Sequence, residues 1–224
     1  MFDFYDIIAN GTLCLSAFAG FLYSLIKVFR KRRSLYLKMV GCALGCLFLE
    51  RLSSIVEIIV TAELPDLFQV STFGNIGYSL FIFSSNYGTF DSLIDDGSPA
   101  LSKYRHRAFH APLLFIAAAV IILISPANLS RSIPCAIEVL FMGATSYYDY
   151  KHLIVPDKYA GIMTSLQPFH ILSLIMSFCL MNENILWCYD VQADPLWALS
   201  YLPMYIIMPA MMPVLVGGMN KWKA

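Results

Sequence analysis

Glu50, Arg51 and Glu57 lie in the stretch 48-FLERLSSIVEIIV-60, which is otherwise apolar enough to cross a lipid bilayer. At about 100° per residue, Glu50 and Glu57 differ by only ~20° around a helix axis, with Ser53 and Ser54 between them and Thr61 beyond, so they share one face. An ionisable side chain at the bilayer centre costs about 2.5–3.5 kcal/mol on insertion scales and therefore turns to a bundle interior or a hydrated cavity. Acids held there can bind a proton, a cation or a polar solute. Arg51 points about 100° away from Glu50 and needs a partner from a neighbouring helix; Glu138 and Glu50 itself are the candidates.

The same arithmetic finds further polar faces. Asn75, Ser79 and Asn86 align, as do Glu138, Thr145 and Asp149, and as do Gln167, His170, Ser173 and Ser177. Four stripes that avoid lipid should face one another. Counted from the helix ends, Glu57 and Glu138 fall in the outer half, Glu50, Arg51 and His170 near the middle, and Asp149 at the cytoplasmic mouth. The expected site is an acidic vestibule open outward, closed at mid-depth by an arginine and carboxylate network, with Glu50, Arg51, Glu57, Glu138, His170 and Asn75 as ligand- or proton-binding residues. The competing reading is structural: Ser and Thr mostly bond their own helix backbone, and Asn, Gln and His can join helices at about 0.6 kcal/mol each.

The elements that must position these groups are membrane helices. Of the 224 residues, 58% are hydrophobic and 13% charged, against roughly 25% charged in soluble domains. Seven apolar runs approach the ~20 residues that cross the hydrocarbon as a helix: 11 to 29, 36 to 62, 67 to 90, 109 to 125, 133 to 150, 160 to 181 and 196 to 217. The expected fold is all-α, one polytopic domain over 1–224, a bundle of seven transmembrane helices with a polar core. The leading MFDFYD is acidic where the n-region of a signal peptide is basic, so the first run should stay as a helix. If 30-RKRR-33 is cytoplasmic, 13 of the 15 Lys and Arg residues share its side; only Arg131 lies outside and Arg51 mid-span. Positive residues stay inside, which predicts the N-terminus out, the C-terminus in, and a plasma (inner) membrane location. The basic loops are thereby explained without nucleic acid; their partner is the bilayer.

Gly41-x-x-x-Gly45 suits close helix packing within the bundle. Pro203, Pro209 and Pro213 should kink or unwind the last span, and Pro168 the sixth. The longest cytoplasmic loop, 91-DSLIDDGSPALSKYRHR-107, is acidic and then basic. It reads as a solvated turn or as a docking surface for a cytoplasmic partner protein through Asp95, Asp96, Lys103, Arg105 and Arg107. Six cysteines are too scattered for a disulfide framework; Cys135, Cys179 and Cys188 fall at the outer helix ends, where one pair could oxidise.

Other chemistry finds little support. His106-x-x-x-His110 has metal-ligand spacing but no carboxylate at helical spacing, and no cofactor motif or metal site is expected. The segment 149-DYKHLIVPD-157 resembles the first aspartate motif of the type IV prepilin peptidases. That resemblance covers nine residues and implies a second aspartate in a downstream GxGD segment, because two carboxylates must share a proton to activate water; 217-GGMN-220 ends in Asn instead. The last span has no Lys for a retinal Schiff base. The expectation is a receptor-like or sensory multi-pass protein, not an enzyme, that binds a small solute or protons; a small proton- or cation-coupled transporter, a structural membrane subunit and a divergent intramembrane aspartyl peptidase are the alternatives.

Overall fold

Arg131, Glu138, Asp149 and Lys151 occur in a single helix, α6 (Leu129–Ile154), and the way the chain hides them organises the molecule. The computed structural model describes residues 4–30, 33–61, 70–91, 94–156, 162–191 and 195–223, and among these the regular structure is helical throughout. Besides α6 there are α1 (Phe4–Ser24), which ends in a π turn at Leu25–Phe29, α2 (Leu35–Thr61), and α3 (Val70–Ser85), which ends in a second π turn at Asn86–Asp91. A short 3-10 turn at Pro99–Leu101 leads into α4 (Ser102–Ala108) and α5 (His110–Leu123); α7 (Ile162–Cys188) and α8 (Pro195–Lys223) complete the chain. The order of neighbours is α1, α2, α3, α6, α7, α8 and back to α1, a closed ring, with α5 outside it against α6 and α7.

Five segments are long and apolar enough to cross a membrane: Ile8–Phe29, Leu35–Glu57, Pro99–Leu123, Thr164–Cys188 and Tyr201–Lys221. They mark an integral membrane protein. Two of the seven expected spans, α3 and α6, are not among these five; α6 carries four charged side chains. Large apolar side chains such as Leu15, Leu49, Leu113, Ile124 and Ile206 project outward, as a lipid-facing surface requires.

Small residues set the closest approaches. A Cβ on Gly41 would meet Ser24 and Phe29, and one on Gly45 would meet Phe21, so this pair seats α2 against α1, as packing within the bundle requires. A Cβ on Gly74 would run into the side chain of Glu50, and one on Gly77 into Cys46, which brings α3 hard against α2 beside the charged residues. The three prolines of α8 do not unwind it: the helix is continuous from Pro195 to Lys223. Neighbouring helices can re-satisfy the backbone groups a proline frees.

Candidate functional site

The buried polar residues form two clusters at opposite ends of the ring, where the sequence led us to expect one core. In the first, Arg51 of α2 is gripped by Glu183 of α7, Nη1 to Oε1 at 2.7 Å and Nη2 to Oε2 at 2.6 Å. Its Nε lies 2.8 Å from Glu50 Oε2, and Nη1 reaches Asn10 Oδ1 of α1 at 3.4 Å. Tyr201 of α8 donates to Glu183 at 3.1 Å and presents its ring to the guanidinium at 5.8 Å. Glu138 of α6, buried, accepts from Asn184 of α7 at 2.7 Å. Residues from five helices thus converge here.

Of the two expected partners Arg51 pairs with Glu50 and not with Glu138; the partner it takes across the ring is Glu183. The expected sixth span ended at 181, because the polar triplet Asn182-Glu183-Asn184 reads as the end of a helix. In the structure α7 runs on to Cys188, and the triplet becomes the inner lining of its last turns. Glu57 is half-buried, two turns beyond Glu50 on α2. Asn75 is buried on α3, with its Oδ1 lacking a hydrogen bond among the described residues. Asn10, which begins the sequon Asn10-Gly11-Thr12, is buried against Arg51.

The second cluster centres on Asp149 of α6, whose side chain is fully buried. Ser173 Oγ donates to Oδ2 at 2.6 Å, Asn86 Nδ2 donates to Oδ1 at 2.8 Å, and His170 Nδ1 lies 2.9 Å from Oδ1. His170 thus departs from its expected place with Arg51 and Glu50: it sits 13 residues before Glu183 on α7, about 20 Å along the axis at 1.5 Å per residue. Asp149 in turn is buried at the centre of a cluster rather than open at a mouth. Gln167, expected on the stripe with His170, faces outward.

Below Asp149 the cluster becomes ionic. Lys151 Nζ lies 2.6 Å from Asp91 and 2.8 Å from Asp95, beside the rings of Tyr147 and Tyr148. Arg105 binds Asp95 at 2.7 Å and the Ser98 carbonyl at 2.9 Å. Burial pushes the carboxyls of Asp91 and Asp95 up, but hydrogen bonds and charge from Lys151, with His152 beside Asp91 and Arg105 beside Asp95, outweigh it and leave both below their ordinary value. The π turn makes this possible. Asn86 and Asp91 are five residues apart, which α geometry would set about 140° apart; the wider i to i+5 turn returns both to the face of α6. The 91–107 segment is consequently docked on its own chain: Asp95 and Arg105 are used internally, while Asp96, Lys103 and Arg107 remain exposed.

Between the clusters lies a mostly apolar layer, with the small hydroxyls of Ser79, Thr145, Ser146 and Ser177 buried in it. Glu138 and Asp149 are 11 residues apart on α6, about 16 Å, and Met142, Met176, Met208, Met211 and Met212 are buried at the intervening levels. Tyr78 OH contacts Met211 Sδ at 3.8 Å. Ser53, Ser54, Ser85 and Ser177 hydrogen-bond carbonyls of their own helices, while Thr145 also donates across to the Ser79 carbonyl at 2.9 Å.

The remaining sequence candidates are dispersed. His106 and His110 fall in different helices, because the chain breaks at Phe109, and His110 Nδ1 is engaged with the Arg107 carbonyl. Asp157, the second acid of the peptidase-like segment, and Asp194 lie outside the described residues. Asp190 pairs with Arg131 at 2.6 Å. Beside that pair Cys135 and Cys188, both buried, are near neighbours. No known protein family, curated protein or solved structure matches the chain.

Proposed function

We propose that the chain is a receptor-like membrane protein of seven spans, N-terminus outside and C-terminus inside, whose outer polar core binds a proton, a small inorganic cation or a cationic solute and passes that state to a cytoplasmic partner. The observation that carries this reading is a charge imbalance. One guanidinium, Arg51, serves a cluster of three carboxyl groups, the buried Glu50 and Glu138 and the partly buried Glu183, with Glu57 two turns further along α2. The nearest basic residue at that end, Arg131, is held by Asp190, and neither 62–69 nor 192–200 contains Lys or Arg. Excess negative charge taken out of water costs several kcal/mol per ion, and a bound cation relieves it.

Support for seven spans comes from α3 and α6, the two expected spans outside those five segments. They are neighbours in the ring and keep Asn86, Glu138 and Asp149 buried, so lipid need not meet these groups. The outward N-terminus follows from the Lys and Arg distribution. For the output, the ionic cluster around Lys151 ties the core to the 91–107 segment, whose exposed Asp96, Lys103 and Arg107 offer both signs of charge to a partner.

A proton- or cation-coupled transporter is favoured by a different observation: two buried polar sites at opposite ends, separated by a mostly apolar layer through which proline-bearing α8 passes. The thermal stability of the purified protein, measured across about pH 5 to 8 and with a panel of small cations, tests the shared premise, because a ligand of the folded state at 100 times its Kd adds about 2.7 kcal/mol. A cation-dependent rise that Glu138→Gln removes supports a site. No rise in the wild type under any condition refutes it. Net flux of the same cation in proteoliposomes then favours transport, and binding without flux favours sensing.

A further inference from the structure

Around Asp149 several buried polar atoms lack a hydrogen-bond partner among the described residues: His170 Nε2, both ring nitrogens of His152, Tyr36 OH and Asn86 Oδ1. Buried polar groups are nearly always hydrogen-bonded, to protein or to ordered water, and each one left unpaired costs about 1–3 kcal/mol. So many in one place need a reason beyond packing. His152 and His170 are both buried and stand edge to face with ring centroids 4.9 Å apart. Toward the core, His170 Nδ1 lies 2.9 Å from Asp149; toward the inner surface, His152 Nε2 lies 3.7 Å from Asp91 Oδ1. Asp91 is partly exposed. Asp149, His170, His152 and Asp91 thus follow one another as near neighbours.

The geometry points to Asp149, His170, His152 and Asp91 as a proton relay that joins the buried core carboxylate to the inner surface. In the tautomer that carries its proton on Nδ1, His170 donates to Asp149 and leaves Nε2 as a lone pair. A proton reaching Nε2 by way of His152 lets the Nδ1 proton pass to Asp149 Oδ1, and the reverse sequence restores the starting tautomer. One proton enters at Asp91, one arrives at Asp149, and no electrons move. The other ionisable groups facing this line are Tyr36 from α2, Tyr78 from α3, and Tyr148 and Lys151 from α6. Lys151 is committed to Asp91 and Asp95, so it sets the charge at the entrance without carrying the proton. A merely structural pair would have each ring nitrogen satisfied within the protein, as His110 Nδ1 is by the Arg107 carbonyl.

The chain contains four histidines, and His106 and His110 are exposed, so ring-nitrogen NMR of the liposome-embedded, 15N-histidine-labelled protein separates the pair from the rest. Spectra are taken from about pH 5 to 8, with assignment by His152→Gln and His170→Gln. The expected result is that the two buried rings exchange protons and titrate as a coupled pair, so that His152→Gln changes the tautomer balance of His170. If both rings hold one fixed tautomer throughout, or titrate independently of each other, the relay is wrong. Should either variant fail to fold, proton exchange between the two buried rings in the wild type decides alone. The outer site plays no part in this readout, so the two proposals fail separately.

Discussion

Glu183→Gln and Glu138→Gln remove the same chemical group from the same cluster, yet the geometry predicts different effects on stability. Glu183 receives two parallel hydrogen bonds from Arg51 and a third from Tyr201. In the glutamine variant one amino group of the fork meets an amide N–H, a donor facing a donor. Removing one partner of a buried ion pair costs about 3–5 kcal/mol; Glu50 on Nε and Asn10 on Nη1 still hold the guanidinium, so the loss should lie at the low end, about 3 kcal/mol. Glu138 instead accepts its bond from the Asn184 amide, and the carbonyl of glutamine keeps that bond. Glu138→Gln also replaces a buried ionisable group by a neutral one, so it should be neutral or stabilising by up to about 1 kcal/mol.

Thermal unfolding in one detergent at one scan rate reads the difference. For a chain of this size about 3 kcal/mol corresponds to a fall of roughly 6–12 °C in Tm, against no fall for Glu138→Gln. Equal losses in the two variants would mean that Glu138 is as firmly paired as Glu183, and the charge imbalance on which the outer site rests would be gone. The joint replacement of Arg51 by Met, Glu183 by Leu and Glu50 by Gln supplies a control: it should lie nearer to the wild type than Arg51→Met alone, because a buried ionic group replaced whole costs far less than one broken.

Asp91 and Asp95 have carboxyls depressed by Lys151 and its neighbours; their contribution is present above the unfolded carboxyl value near 3.9 and is lost as pH falls through the lower folded values. Hydrogen exchange of the 91–107 segment should therefore stay protected from neutrality down to about pH 4 and rise below it, whereas Lys151→Met should expose the segment at neutral pH. Cys135 and Cys188 are near neighbours at the predicted outer end. If that end faces an oxidising compartment, alkylation of the unfolded, unreduced protein should label four of the six cysteines and all six after reduction; six in both cases would argue for the opposite orientation. Gly74→Ala forces a Cβ into the Glu50 side chain, and overpacking of that kind should cost about 1–3 kcal/mol, measured as a lower Tm.

The membrane class was legible in the sequence because composition and run length report it directly, and the inward turn of Glu50, Arg51, Glu138 and Asp149 followed from the cost of exposing charge to lipid. Helical angle also told correctly that Arg51 must look across to another helix. Which helix answered was not legible. Glu183 follows the last apolar residue of its run, and hydropathy cannot distinguish a helix that stops at 181 from one that continues with its polar face inward. His170 was misplaced for a related reason: a stripe fixes direction around a helix, but depth is counted from ends that carry an error of several residues. The π turn at Asn86–Asp91 has no signature in spacing, so Asp91 read as the start of a loop when it is a buttress for Lys151.

The methionine layer bears on how the two ends communicate. A continuous polar path from Glu138 to Asp149 would make the molecule a leak, and an all-leucine or all-isoleucine layer would pack into one arrangement. Methionine is unbranched, with three rotatable bonds, and fills gaps of changing shape at little cost. Three of these side chains, Met208, Met211 and Met212, sit on α8 among Pro203, Pro209 and Pro213, in a helix whose Tyr201 touches Glu183. A cation that altered the hold of Arg51 on Glu183 would act first on Tyr201, and α8 could shift through a layer able to repack around it. Replacing Met208, Met211 and Met212 together by leucine should then leave cation-dependent stabilisation of the outer site intact while abolishing any change in protection of the 91–107 segment on cation addition. If protection still changes, the ends are coupled along α6 or α7, and the layer is only filler.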